Sequence, residues 1–216
     1  MSGLKIAKCV YDDVRGYKSR GMDGIIEDGS QRCFFPNGLM FYTYARTLFD
    51  TSLAFEDIVA DYLSHIYGKD WRKFMAYLEK VGDAFSFAYC EGEESEDEKR
   101  SPFYSPKRAE ILSKIEDILS EGETLLESHR TPDIRVQSVS MKILKHHVEF
   151  CRVMARALAE KALGNDDRAD ELYREARIAS GRNEAELEQY YDQHLAFHSW
   201  DKVFATRTAT NEVIMY

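Results

Sequence analysis

Residues 23–29, with the sequence Asp-Gly-Ile-Ile-Glu-Asp-Gly, are the only segment whose pattern predicts a β-strand. The segment is short and apolar in its middle, as buried parallel strands are, and it ends in carboxylates. A helical pattern precedes it, and almost only helical patterns follow. Because one isolated strand cannot form a stable sheet, we expect it to belong to a barrel. The predicted fold is therefore mainly α: a helical bundle preceded by one α-β-α step resembling the last unit of a (β/α)8 barrel.

The rest of the pattern predicts how the chain is divided. Residues 1–50 are expected to form the barrel-like α-β-α segment, and residues 51–216 the helical bundle domain. An acidic stretch near 91–104 is expected to be a solvated linker. Gly21, Gly68 and Gly164 are predicted helix ends, and Ser105-Pro106 is a predicted helix start. Apolar residues at three- and four-residue intervals predict the helices, at 4–20, 39–49, 53–67, 71–85, 106–130, 132–163, 166–180 and 184–199.

Composition narrows the classes of partner. The chain has 38 acidic and 29 basic residues and a formal net charge of -9, without a basic stripe, so we expect no nucleic-acid partner. No apolar run approaches the roughly 18–20 residues that span a bilayer, so no membrane partner is expected. The four cysteines lie far apart in sequence and show no C-x-x-C spacing, which predicts reduced thiols in a cytoplasmic protein, with no disulfide framework.

Four residues at and just beyond the predicted strand are candidate substrate-binding residues: Glu27, Asp28, Arg32 and Phe34. In a parallel barrel, residues past the carboxyl end of a strand line the active-site face. Carboxylates there can bind sugar hydroxyls, and an aromatic ring in the loop, Phe34 or Phe35, can stack on a sugar. Glycoside hydrolysis needs two carboxylates flanking the bond, and one strand rarely supplies both. Catalytic residues therefore stay unassigned, and a structural Asp28–Arg32 ion pair is the alternative.

Two histidine pairs are candidate metal ligands. His194 and His198 have metal-ligand spacing, but no Glu follows His194, so the H-E-x-x-H motif is missing and packing is favoured. His146 and His147 point about 100° apart on a helix and cannot share one ion, so we expect one surface and one boundary histidine. We therefore predict no metal and no cofactor.

Residues 10–80 carry a resemblance to a known family. Residues 11–29 contain a helix, then Gly-x-x-Gly and a strand ending in an acidic residue. Residues 42–50 contain Tyr-x-x-Ala-Arg, and residues 61–68 end in Tyr-Gly. This order resembles the end of the barrel in bacterial glycoside-hydrolase-like proteins that carry a large domain of unknown function and are distantly similar to α-glucuronidases. The family often has Trp-Asp-Pro where this chain has Phe49-Asp50-Thr51.

The resemblance implies a carbohydrate-active parent protein, of which this chain would be the C-terminal helical region. It would contribute structure and sugar contacts without being catalytic alone. The alternative is a non-enzymatic α-helical protein-interaction module that works through the helices at 106–130 and 132–163. A self-contained small enzyme is a third reading, which no nucleophile–base pair, phosphate loop or metal cluster in the sequence supports. Dimerisation through the strand region is one way to cover its edges.

Overall fold

The structure, a computed structural model, describes residues 3–27, 32, 35–129, 133–198 and 200–204, without the side chains of residues 194, 195 and 198. This part of the chain is mainly helical, as the apolar periodicity predicts. None of its helices is long and apolar enough to cross a membrane. The α-helices are α1 Gly3–Gly16, α2 Leu39–Phe49, α3 Phe55–Tyr67, α4 Trp71–Phe85, α5 Phe87–Cys90, α6 Pro106–Ser113, α7 Ile115–Ser128, α8 Arg135–Leu163, α9 Asp166–Gly181, α10 Glu184–Leu187 and α11 Gln193–His198.

The strand predicted at residues 23–29 lies partly outside the described residues, and its described part, residues 23–27, does not form a strand. These residues have no regular structure, and they make no backbone hydrogen bond to another described residue. Ile26 is 102% exposed and Ile25 is 41% exposed, so neither side chain is buried as expected. A strand needs a neighbouring strand to pair its N–H and C=O groups, and the described residues supply none. The mainly α fold is confirmed, whereas the α-β-α step of a barrel is not supported.

Several helix ends follow from local sequence, as predicted. Three helical segments end at a glycine. The 3-10 turn that follows α1 ends at Gly21, α3 ends at Gly68, and α8 ends at Gly164. The φ values of these glycines are +81°, +69° and +79°. Residues with a side chain rarely adopt this left-handed region, and glycine enters it without strain. Ser105 caps α6, because its Oγ accepts a hydrogen bond from the backbone N–H of Arg108 at 3.4 Å, and Pro106 follows.

Three predicted helices are interrupted. The helix expected at 4–20 becomes α1, which ends at Gly16, and a 3-10 turn at Lys18–Arg20. The helix expected at 106–130 breaks at Lys114 into α6 and α7, where the N–H of Lys114 bonds to the carbonyl of Ile111 at 3.2 Å in a tighter turn. The helix expected at 184–199 becomes α10 and α11, because Asp192 between them donates its N–H to the carbonyl of Arg32 at 2.8 Å. The long helix expected at 132–163 is confirmed as α8, with 29 residues.

The core is centred on α8, which packs against α3, α6, α7 and α9. Its residues Leu144, Met154 and Leu158 are completely buried. Ala7 of α1 and Leu39 of α2 belong to the same continuous apolar cluster. The first two helices therefore pack on the bundle, and the division into domains at residue 50 stays a prediction.

Two carboxylates of the acidic stretch bond to the start of α6, while residues 96–100 are exposed, and its role as a linker stays a prediction. The Glu94 carboxylate accepts hydrogen bonds from Arg108 Nη2 at 2.6 Å and Nε at 3.0 Å. Glu96 Oε1 accepts from the Ser105 hydroxyl at 3.0 Å and from the Lys107 N–H at 2.8 Å. Because a helix start carries unpaired N–H groups and a partial positive charge, these carboxylates stabilise the start of α6.

Candidate functional site

The structure places two of the four predicted sugar-binding residues. Glu27 is exposed, and its Oε2 accepts a hydrogen bond from the Tyr44 hydroxyl of α2 at 2.9 Å. Arg32 Nη2 forms an ion pair with Asp192 at 2.9 Å, and Nη1 donates to the carbonyl of Glu188 at 3.1 Å. Glu27 and Arg32 are thus held by different parts of the chain. Asp28 and Phe34 lie outside the described residues, so the Asp28–Arg32 pair and the sugar-contact role of all four stay predictions.

The described residues enclose a cavity of about 930 Å³ between α1, α2, α4, α8 and the segment around α11. Its charged lining residues include two ion pairs, Arg32–Asp192 and Glu91–Lys202, whose side chains are partly exposed. Elsewhere the lining is mainly apolar. Volumes of roughly 300–1,000 Å³ with apolar walls are typical of small-molecule sites. The apolar lining residues include Leu39, Met75, Leu78, Val81, Phe85 and Phe150.

A buried histidine–cysteine pair lies in the cavity wall. His147 and Cys151 are four residues apart on α8 and so lie on one helix face. Cys151 Sγ is 3.4 Å from His147 Nε2 and 3.8 Å from Nδ1. The side chains are 8% and 3% exposed.

Burial sets the charge state of this pair. It lowers the pKa of His147 to about 3, with a smaller contribution from the neighbouring His146. Burial also raises the pKa of the Cys151 thiol. Near neutral pH the pair is therefore an uncharged imidazole beside an uncharged thiol.

The expectation of one surface and one boundary histidine is wrong, because His146 is buried as well, at 5% exposure. Its Nε2 lies 3.2 Å from the Ser180 hydroxyl, and its Nδ1 lies 3.2 Å from the Asn183 amide nitrogen. Burial lowers the pKa of His146 too. The side chains of His146 and His147 leave α8 about 100° apart, and both point into the protein. His146 faces α9 and the turn after it, and His147 lies in the cavity wall.

Aromatic packing holds His147 in place from the loop before α2. The Phe35 ring lies 5.1 Å from the His147 ring, 5.4 Å from Phe150 and 4.4 Å from Tyr191, measured between centroids. Phe35 lines the cavity and is partly buried within this cluster, so this ring, one of the two suspected of stacking on a sugar, packs against protein rings. These contacts join residues more than a hundred positions apart in sequence.

The chemistry of the pair favours binding over catalysis. A cysteine attacks as the thiolate, and burial holds Cys151 as the thiol. A catalytic histidine is also oriented by a third group, and Cys151 is the only hydrogen-bond partner of His147 in the described part of the chain. Sequence reasoning missed this pair, although the H-x-x-x-C spacing in an apolar helix was visible.

Metal and disulfide chemistry find no support in the described residues. No group of three or more His, Cys, Asp or Glu side chains there is placed to hold a metal ion. Cys9, Cys90 and Cys151 are free thiols, and Cys33 lies outside the described residues. The side chains of His194 and His198 also lie outside them, so that pair stays untested.

No protein-family model matches this chain, and no curated protein and no solved structure is significantly similar to it.

Proposed function

We propose that this chain is a non-enzymatic α-helical binding module that takes up an apolar molecule of small-ligand size in the cavity of α2, α4 and α8. The single observation that carries this proposal is the cavity itself, with a volume of about 930 Å³ and a mainly apolar lining. The uncharged state of His147 and Cys151 in its wall favours the same role, because neither group is prepared for covalent chemistry.

The cavity can supply useful affinity. A ligand that removes roughly 400 Å² of apolar surface from water gains about 10 kcal/mol at 25 cal/mol per Å². Association costs at least about 4 kcal/mol in lost freedom of motion. The remaining ~6 kcal/mol corresponds to a dissociation constant of roughly tens of micromolar. Binding in this range is measurable with a fluorescent apolar probe.

The test is a titration with N-phenyl-1-naphthylamine, an uncharged probe that fluoresces in apolar surroundings. We expect saturable binding of one probe per chain, weakened at least about tenfold by Leu78→Trp, which adds a large side chain to the cavity lining. Ile178→Trp is the matched control, because Ile178 is 43% exposed on α9 and does not line the cavity. Absence of saturable binding, or equal binding by the two folded variants, would refute the proposal.

A second candidate function is favoured by the exposed segment 23–27. Its backbone makes no hydrogen bond within the described part of the chain, and Ile25 and Ile26 are exposed at the position where the sequence predicts a barrel strand. Such a segment suits pairing with a sheet outside the described residues. This is the arrangement expected of the C-terminal helical region of a carbohydrate-active, glycoside-hydrolase-like protein. Pairing between two copies of the chain is the alternative, and sedimentation showing only monomer would exclude it.

Glu27 gives this second candidate a direct test. Glu27→Ala in the intact protein is expected to weaken oligosaccharide binding, while the melting temperature changes by only a few degrees because the carboxylate is exposed. Tyr44→Phe serves as the control for the loss of the Glu27–Tyr44 hydrogen bond alone. Unchanged sugar binding by Glu27→Ala would remove Glu27 from the proposed role.

A further inference from the structure

His147 is left with an incomplete set of hydrogen bonds. A neutral imidazole has one donor nitrogen and one acceptor nitrogen, which point to different sides of the ring. Both nitrogens of His147 have the same described neighbour, the Cys151 sulfur, at 3.4 and 3.8 Å. One thiol is a weak partner and can align with only one of them. Among the described residues, the other nitrogen is therefore left with no more than a long, poorly aligned contact to the same sulfur.

The position of this nitrogen makes the deficit significant. His147 is only 8% exposed, and a buried polar group without a hydrogen bond is rare in proteins because it loses its hydration without compensation. The neighbouring rings of Phe35 and His146 offer no matching group, since the two nitrogens of His146 face Ser180 and Asn183. His147 also lines the cavity, and so a ligand bound there can approach the imidazole.

We infer that the cavity binds an uncharged amphiphile, a mainly apolar molecule whose one hydroxyl or carbonyl group forms a hydrogen bond with His147. This inference rests on the proposed function and specifies the class of its ligand. The apolar body fills the space lined by α2 and α4, and the polar group completes the imidazole. Neutral lipids and aromatic or aliphatic alcohols belong to this class.

The charges around the cavity argue against an anionic ligand. The imidazole of His147 is uncharged near neutral pH, so a buried carboxylate would find no cation beside it. The two cationic lining groups are already neutralised, Arg32 by Asp192 and Lys202 by Glu91. A carboxylate in the cavity would therefore lose its hydration without a matching ion pair.

Three molecules of nearly the same shape separate these cases: naphthalene, 2-naphthol and 2-naphthoate. Each is titrated as a competitor against N-phenyl-1-naphthylamine bound to the wild-type protein at pH 7.5. We expect 2-naphthol to displace the probe at a concentration at least about tenfold lower than either of the others, because only it is uncharged and able to hydrogen-bond. Equal potency of the three, or strongest displacement by 2-naphthoate, would overturn the inference.

Variants at His147 locate the effect. His147→Phe is expected to bring 2-naphthol within about twofold of naphthalene, and His147→Gln to keep part of the preference. His65→Phe on the exposed surface of α3 is the matched control and should behave as wild type. Preference for 2-naphthol that survives in His147→Phe would also overturn the inference. If the probe fails to bind wild-type protein, the proposed function itself fails, whereas probe binding without the alcohol preference refutes only the ligand class.

Discussion

Replacing His147 is expected to remove a specific pH dependence of folding stability. Burial lowers the pKa of this imidazole from 6.5 to about 3 in the folded chain. Between these two values the unfolded chain binds a proton that the folded chain does not. Protonation therefore stabilises the unfolded state, and the free energy of unfolding of the wild-type protein falls as the pH is lowered from 6.5 toward 3.

The magnitude follows from the two pKa values. At pH 4.5 the solution is two pH units below the unfolded pKa and still above the folded one. Each pH unit contributes about 1.36 kcal/mol, so the titration of His147 lowers the free energy of unfolding of the wild-type protein by about 2.7 kcal/mol between neutral pH and pH 4.5. For a chain of this size, that corresponds to a decrease of roughly 5–11 °C in melting temperature. Burial also lowers the pKa of His146, but His146 is present in both proteins and its contribution largely cancels in the comparison.

The assay is urea unfolding, followed by far-ultraviolet circular dichroism, at pH 7.5 and 4.5. Any packing change caused by His147→Phe appears at both pH values, so the difference between the two pH values isolates the titration. We expect the wild-type protein to lose about 2–3 kcal/mol more than His147→Phe on acidification, and His147→Gln to resemble the Phe variant. A difference below about 1 kcal/mol would show that His147 titrates in the folded chain nearly as it does in the unfolded chain, which contradicts its burial.

Four further predictions concern packing and the acidic segment. Gly122→Ala in α7 should destabilise the protein by about 1–3 kcal/mol in urea unfolding, because its Cβ would lie 2.5 Å from Cζ of the buried Tyr77. Gly16→Ala, whose Cβ meets only the end of an arginine side chain at 3.4 Å, should be neutral or stabilise by up to about 1 kcal/mol. Arg108→Lys should cost about 2 kcal/mol, since lysine cannot reproduce the guanidinium bonds to Glu94 and to two carbonyls at the end of α4; unchanged stability would contradict this role. Burial opposes ionisation of Glu94, but hydrogen bonds from Ser86 and Arg108 leave its pKa below the ordinary value of 4.5. The stabilisation of the fold by the Glu94 carboxylate is therefore present above pH 4.5 and is lost as the pH falls through the lowered pKa. The difference in free energy of unfolding between wild type and Glu94→Gln should shrink on acidification below pH 4.5 and stay constant above it.

The candidate site was only partly predictable from the sequence. Arg32, a predicted sugar-binding residue, lines the cavity and forms an ion pair with Asp192, while its predicted contact with a sugar stays a prediction. His147 and Cys151 were not predicted as a site, because an i, i+4 spacing in an apolar helix is equally typical of packing. The burial of His146 depends on α9, and the burial of His147 depends on Phe35. Neither α9 nor Phe35 is next to these histidines in the sequence.

Local sequence alone determined where many of the helices begin and end. Pro106 fits the first turn of a helix, a serine before it caps the free N–H groups, and Gly164 enters the left-handed conformation that closes α8. These preferences act over a few residues, so they can be recognised without knowing the fold. Tertiary structure alone decided that residues 23–27 have no strand partner among the described residues, that a cavity opens beside α8, and that His147 is uncharged. Strand pairing, cavity volume and desolvation all depend on which distant segments come together, and the sequence pattern of one segment carries no record of its neighbours in space.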